Sequence, residues 1–355
     1  MKMNETFLLN MGSTKTLDYL NLILGTNLHL IGFIFNLISF QAFRKIKFSN
    51  NILKCYLKIY TFSSMVSCFF FTFSFISKTP RIIPNLSLTY WASFYRCKIL
   101  PWNLTLYFFI NTLDCLILFE RISFFKSKLK KYVLKNPYIV CLVMFIFCNI
   151  FNFTNVLVEE PRSQLEYMKA SKNFSTNNYF EYCKRNELIS NIYWKILAFF
   201  IFLFKNVIML IFELTLNIYS IILFRRYIKE KKEYFLLFMI DDENNKSKST
   251  SSNNNEDEAD IISPFHIMTS FNSKLTKMTI YLSFCTLLEQ ISFLIACLKF
   301  FKGKDNDIIL TNYIHLVLKI FLSLKYISNI FVFYHFNKNF RRYLKKSFLI
   351  HKNPK

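Results

Sequence analysis

The sequence predicts an all-α polytopic membrane protein, a seven-transmembrane helix bundle followed by a short amphipathic eighth helix. Three observations carry that expectation. Apolar residues gather into stretches of membrane length, none of those stretches alternates as a barrel strand would, and basic residues gather on one side of them. Of 355 residues, 53% are hydrophobic and 19% aromatic, with 44 Phe against 4 Gly. An ordinary soluble domain is about 45–50% apolar with about 7% Gly. The scattered glycines build neither a GxGxxG nor a P-loop fingerprint, and HExxH and GxSxG are absent. The five histidines stand far apart, which argues against a His-rich metal site.

A bilayer core of about 30 Å needs about 20 mostly apolar helical residues. Stretches of that kind fall at 19–43, 52–77, 98–123, 137–158, 193–224, 274–299 and 309–334. Lipid admits only helices or closed barrels, and strict apolar/polar alternation is missing. The second stretch carries Lys54 and Lys58 and the seventh Lys319 and Lys325, so a six-span reading stands beside the preferred seven. Residues 1–18 lack a clean apolar core and a small-residue cleavage site, so they read as an outer N-terminal segment rather than a cleaved signal.

Orientation follows from basic residues near the spans. Arg44, Lys45 and Lys47, then Lys126, Lys128, Lys130, Lys131 and Lys135, then Arg225, Arg226, Lys229, Lys231 and Lys232 lie on one side. The tail adds Lys338, Arg341, Arg342, Lys345 and Lys346 to the same side. The opposite side is poorer, or balanced by Glu159, Glu160, Glu166, Glu181 and Glu187. The N-terminus is therefore expected outside and the C-terminus inside the plasma membrane. The net charge of 45 − 22 = +23 then belongs mainly to a cytoplasmic face drawn to anionic lipid. Such charge also suits nucleic acid, a partner the spans argue against. Sequons at Asn4, Asn85 and Asn173 fall on the expected outer side; those at Asn103, Asn152 and Asn245 do not.

Residues 241–260, DDENNKSKSTSSNNNEDEAD, are too polar to bury a core, and a disordered third inner loop is expected over about 235–270. Residues 335–355 form the tail. Phe336, Phe340, Tyr343 and Leu344 recur there at helical spacing between Lys and Arg, the pattern of a helix lying on the inner leaflet, with a plain basic tail as the alternative.

The third stretch holds Cys97 at its outer end and Glu120-Arg121 at its inner end. The separation of 24 residues is about 36 Å of helix, which spans the membrane. Cys183 is the one other cysteine clearly in an outer loop; Cys55, Cys68, Cys115, Cys141, Cys148, Cys285 and Cys297 fall within spans. A Cys97–Cys183 bridge would pin the fourth loop to the third helix. Two free thiols, or Cys297 as partner, are the alternatives.

With Asn36 in FIFNLISF, Cys97, Cys183, Glu120-Arg121-Ile122 and the closing SNIFVFYHFNKNFRRYLKK, the chain resembles the rhodopsin-like family of seven-helix G-protein-coupled receptors. The likeness runs over most of the chain. Glu120 and Arg121 match the family's acidic-Arg-aromatic triplet, with Ile122 in the aromatic place. Asn329, Tyr334 and Phe340 resemble its Asn-Pro-x-x-Tyr motif and the Phe that follows; the Pro is missing, Asn329 is one residue out of register with Tyr334, and the other register uses Phe333. The second helix lacks the family's acid and the sixth its Cys-Trp-x-Pro, as in the divergent invertebrate peptide and chemosensory groups. The resemblance implies an extracellular ligand, a heterotrimeric G protein as partner, no cofactor and no catalysis. Asn103, 18 residues before Arg121, stands where amine receptors carry Asp, which disfavours an amine ligand.

Arg121 also makes sense physically, as a guanidinium that pairs with an acid when the inner face is closed and meets a partner when it opens; simple snorkelling is the bland alternative. Glu120, about 100° round the helix from it, is not expected to face the same way. Ionisable residues within spans are costly and usually paired or functional. Asp114, Lys205, Glu213, Glu289, Lys319 and Lys325 are such residues, with Asp114–Lys325 and Glu289–Lys319 as expected pairs, against snorkelling or a water cavity. The rival functions are a seven-span chemosensory channel or transporter, and an intramembrane enzyme built on Asp114 and Glu289.

Overall fold

The computed structural model describes residues 5–46, 51–77, 91–125, 136–161, 183–185, 192–246, 274, 276–291 and 308–350. They are almost entirely helical. Helix α1 is Glu5–Lys45, α2 Asn51–Ile76 and α3 Leu100–Phe125, the last entered through a π-helical turn at Tyr95–Ile99. Helix α4 is Pro137–Val158. Helix α5 runs Ile192–Phe202, through a π-helical segment Leu203–Ile208, into Met209–Lys246. Helix α6 covers residues 276–291, α7 is Ile308–Phe336 and α8 Lys338–Ile350.

Local chemistry sets several boundaries. Pro137 opens α4, where its missing N–H costs nothing, and Asn136 Oδ1 accepts from the backbone N–H of Tyr138 at 3.1 Å as the N-cap. Asn337 divides α7 from α8. Its Oδ1 accepts from the N–H of Phe340 at 3.0 Å, so one residue ends the apolar span and caps the amphipathic helix after it. Arg44 and Lys45 close α1, where cations suit the negative end of the helix dipole.

Among the described residues, four helices are long and apolar enough to cross a membrane: Leu22–Lys45, Asn51–Ile76, Trp91–Ser123 and Phe199–Glu230. Pro137–Asn152 and Ile320–Phe336 are shorter apolar helices. Burial is inverted relative to a water-soluble domain. On α4, Ile139, Leu142, Val143, Ile146 and Ile150 face outward at helical spacing, while Asp114, Arg121, Glu213, Glu289 and Lys325 are buried. An outer face of that composition suits lipid, and the chain is a membrane-embedded protein.

Helix α1 packs on α2 and α7, α2 on α3, and α3 on α4 and the long part of α5. The core joins Phe43, Leu57, Tyr60, Ile110, Leu113, Ile117, Tyr326, Phe333 and Phe340. Two segments depart from the sequence expectation. Helix α1 starts at Glu5, within the expected N-terminal segment 1–18. The fifth helix runs to Lys246, into the loop expected over 235–270. Residues 225–246 contain no Gly or Pro, and Lys229 and Glu233 pair at 3.8 Å one turn apart, so nothing stops the helix at the membrane edge. The expectation for residues 247–270 lies outside the described residues. A short ladder, β1 (Glu159–Pro161) antiparallel to β2 (Cys183–Arg185), was not anticipated; it pairs Pro161 with Cys183.

Gly25 of α1 lies against the Phe75 ring of α2. A methyl group added there would meet Phe75 Cε1 at 2.2 Å. Small residues allow such contacts between membrane helices, where packing rather than water exclusion drives association. Gly25→Ala is expected to destabilise by about 1–3 kcal/mol through overpacking, and Phe75→Leu in the same chain to recover part of that loss. Thermal unfolding of the detergent-purified single and double variants checks both.

Candidate functional site

The site begins with Lys325, a residue only 2% exposed in the middle of α7. An ammonium in a low-dielectric bundle requires counter-charge and hydrogen-bond acceptors. Helix α3 supplies Asn111 Oδ1 at 2.6 Å and Asp114 Oδ2 at 3.7 Å. Helix α6 supplies Glu289 Oε2 at 3.5 Å. The Tyr107 ring, one turn before Asn111 on α3, lies 5.7 Å from the Lys325 nitrogen, and its hydroxyl donates to Glu289. Thr286 Oγ1 on α6 donates to Asp114 at 2.7 Å. Three helices thus close around one cation.

Asp114–Lys325 pairs as the sequence led one to expect. The carboxyl of Glu289, expected to pair with Lys319, accepts from Tyr107 and lies 3.5 Å from the Lys325 ammonium. Lys319 lies on α7 six residues, about 9 Å, before Lys325, and its side chain is outside the described residues. Tyr107, Asn111 and Thr286 went unnoticed in the sequence. A signal existed: Tyr107, Asn111 and Asp114 stand at helical spacing on one face of an otherwise apolar span.

Glu213 on α5 is fully buried and faces α6, where Ser283 and Gln290 donate to it at 3.0 and 2.6 Å. Lys205 lies in the π-helical segment; its ammonium donates to Asn152 of α4 and sits 5.4 Å from the Phe108 ring. Expected site residues therefore become inter-helix contacts, α5 to α6 and α5 to α4.

Below this layer, Asn36 of α1 donates to the Tyr326 carbonyl at 3.0 Å, and Asn329 donates to Asn36 Oδ1 at 3.2 Å. The Tyr60 hydroxyl of α2 reaches Asn329 at 3.5 Å. This node ties α1, α2 and α7 through side chains that would be costly to leave unpaired in lipid. Tyr334, expected beside Asn329, instead faces outward at 39% exposed. Phe333 takes the inner position, edge-on to Phe43 at 4.8 Å and 5.7 Å from Phe340. One residue along a helix turns a side chain by about 100°, so the register with Phe333 is the inward one.

At the C-terminal end of α3, Arg121 is 1% exposed and Glu120 is also buried. Arg121 Nε and Nη2 reach Glu120 Oε2 at 2.8 and 2.5 Å. This corrects the expectation that the neighbours face apart: the long Arg side chain spans an angle that the Cα directions do not. It also excludes a snorkelling Arg121. At the N-terminal end, Cys97 is buried in its π-helical turn, which β1 contacts. Asn103 accepts from Ser67 of α2 at 3.0 Å. The sequons Asn4, Asn85 and Asn173 lie outside the described residues. Among the described residues, no group of three or more His, Cys, Asp or Glu side chains could hold a metal. No family model matches the sequence, and no curated protein matches it.

Removing Lys325 leaves Asp114 and Glu289 buried without their cation. Lys325→Met is expected to destabilise by about 3–5 kcal/mol. Neutralising both acids in the same chain, with Asp114→Asn and Glu289→Gln, should restore most of the loss. Unfolding midpoints of the single and triple variants are the check.

Proposed function

We propose that the chain is a plasma-membrane receptor of the rhodopsin-like G-protein-coupled class. It has seven spans, an outside N-terminus and an inside C-terminus, and it passes an extracellular signal, a peptide or a chemosensory cue, to a heterotrimeric G protein. The observation that carries the reading is the buried Glu120–Arg121 ion pair at the inner end of α3. A guanidinium that could reach water by snorkelling is instead held inside the bundle. Breaking a buried pair of this kind costs about 3–5 kcal/mol unless new partners replace it. A G protein docking on an opened inner face offers such partners.

In this reading the ligand binds the inner-open arrangement better than the closed one and shifts the population between them. The basic side chains of the inner loops and tail attract the partner and anionic lipid. The chain carries out no catalysis and uses no cofactor. We place a disulfide between Cys97 and Cys183. Supporting it, Cys97 is disulfide-bonded, and the strand that carries Cys183 pairs with β1, which lies against the turn of Cys97. Such a bridge fixes the outer loop over the ligand entrance. Asn4, Asn85 and Asn173 are the proposed glycosylation sites.

An epitope tag at residue 1 should be accessible on intact cells and a tag at residue 355 should not; reversed staining would favour a channel of opposite orientation. G-protein turnover at matched surface expression tests the signalling claim. Arg121→Ala is expected to abolish stimulated turnover. Arg121→Lys, which keeps the charge but loses the planar donor fork, should retain part of it. Glu120→Gln should raise basal turnover by releasing Arg121. Full signalling from Arg121→Ala would refute the role given to this residue.

A further inference from the structure

Glu213 presents a charge problem that its surroundings do not solve with a cation. The charged and titratable groups near enough to act on it electrostatically are Asp114 and the Cys115 thiol on α3, Glu289 on α6 and Lys325 on α7. Lys325 is already held between Asp114 at 3.7 Å and Glu289 at 3.5 Å. Three buried carboxyls therefore share one ammonium, and among the described residues Glu213 forms no salt bridge. If all three were ionised, the cluster would carry two uncompensated negative charges inside an apolar bundle. An unpaired carboxylate in that position carries a large desolvation cost, which a bound proton would remove.

A second observation points the same way. Gln290 is 8% exposed, and its Nε2 donates to Glu213 Oε2 at 2.6 Å. Its Oε1 is buried without a hydrogen-bond partner. An ionised carboxylate can only accept, so it cannot satisfy that oxygen; a carboxylic acid has one O–H to give. With a proton on Oε1 of Glu213, a small rotation of the Gln290 amide completes a two-way acid–amide pair. The hydroxyl oxygen of the acid still accepts from Ser283, whose own oxygen accepts from Asn217 Nδ2 at 2.6 Å.

We infer that Glu213 is a proton-binding site, a neutral carboxylic acid whose O–H donates to Gln290 and fastens α5 to α6. The docked helices then bind one proton more than separated, hydrated helices would. Acid favours the docked arrangement, and rising pH favours separation. The inference does not rest on the receptor reading, because it concerns where a proton sits and not what the chain signals to.

Infrared spectroscopy of the purified full chain in lipid reads that proton directly. Near pH 7 an unperturbed Glu, with a pKa of about 4.3, shows only carboxylate bands. The expected wild-type spectrum contains the carbonyl band of a protonated, water-shielded carboxylic acid. Subtracting the Glu213→Gln spectrum should isolate that band, and subtracting Glu289→Gln should leave the Glu213 band in place. A wild-type minus Glu213→Gln difference with no carboxylic-acid band overturns the inference. Should Glu213→Gln fail to accumulate, Glu213→Asp gives the same decision: the band shifts if position 213 holds the proton, and an unshifted band overturns the inference.

Discussion

An ammonium cannot stay charged in the middle of an apolar bundle unless other helices bring it oxygen, and the packing around Lys325 follows from that constraint. Its hydrogen bond to Asn111 and its ion pair with Asp114 hold α7 to α3; its ion pair with Glu289 holds α7 to α6. Tyr107 and Thr286 then cross-link α3 and α6 directly. Between helices in lipid no hydrophobic force acts, since acyl chains are as apolar as Leu or Phe. Specific polar contacts of this kind therefore select one arrangement of helices whose outer faces are nearly interchangeable. Whether the ion pairs add net stability over an apolar core is a separate matter, because desolvation opposes them.

The remaining polar contacts extend the same logic in layers. The Asn36–Asn329–Tyr60 node fixes α1 and α2 to α7 on the C-terminal side of Lys325. Ser67 joins α2 to Asn103 of α3 and to the Tyr326 hydroxyl of α7, and His29 Nδ1 lies 3.1 Å from Ser323 Oγ. Glu213 and Lys205 attach α5 to its two neighbours. The Arg121–Glu120 pair joins neighbouring residues of α3, whereas Lys325 joins three helices, so the architectural role falls on Lys325.

The sequence makes the helices legible because a membrane span is a composition signal over about 20 residues, and α2 and α4 fall within a residue or two of the stretches read from it. It makes the Asp114–Lys325 pair legible because charges inside apolar spans stand out. It is poor at resolving depth and azimuth. Glu289, expected nearer the depth of Lys319, lies 3.5 Å from Lys325, because a span boundary uncertain by a turn or two moves a side chain by about 5–10 Å along the axis. Tyr334 was chosen over Phe333 because a motif register off by one residue points a different side chain inward. The Glu120–Arg121 contact was missed because backbone angle was taken for side-chain reach. The helical continuation to Lys246 was missed because polar composition marks where a membrane ends, not where a helix ends.

The central claim is that the Lys325 bridge holds α6 against α3 and α7. The most direct measurement is a pulsed electron-resonance distance between spin labels at two exposed positions, Arg44 on α1 and Lys277 on α6. With Lys325 present, a single narrow distance distribution is expected. With Lys325→Met, the distribution should broaden and shift to longer distances as α6 loses its tie. Superimposable distributions from the two proteins would contradict the claim and assign the placement of α6 to apolar packing alone.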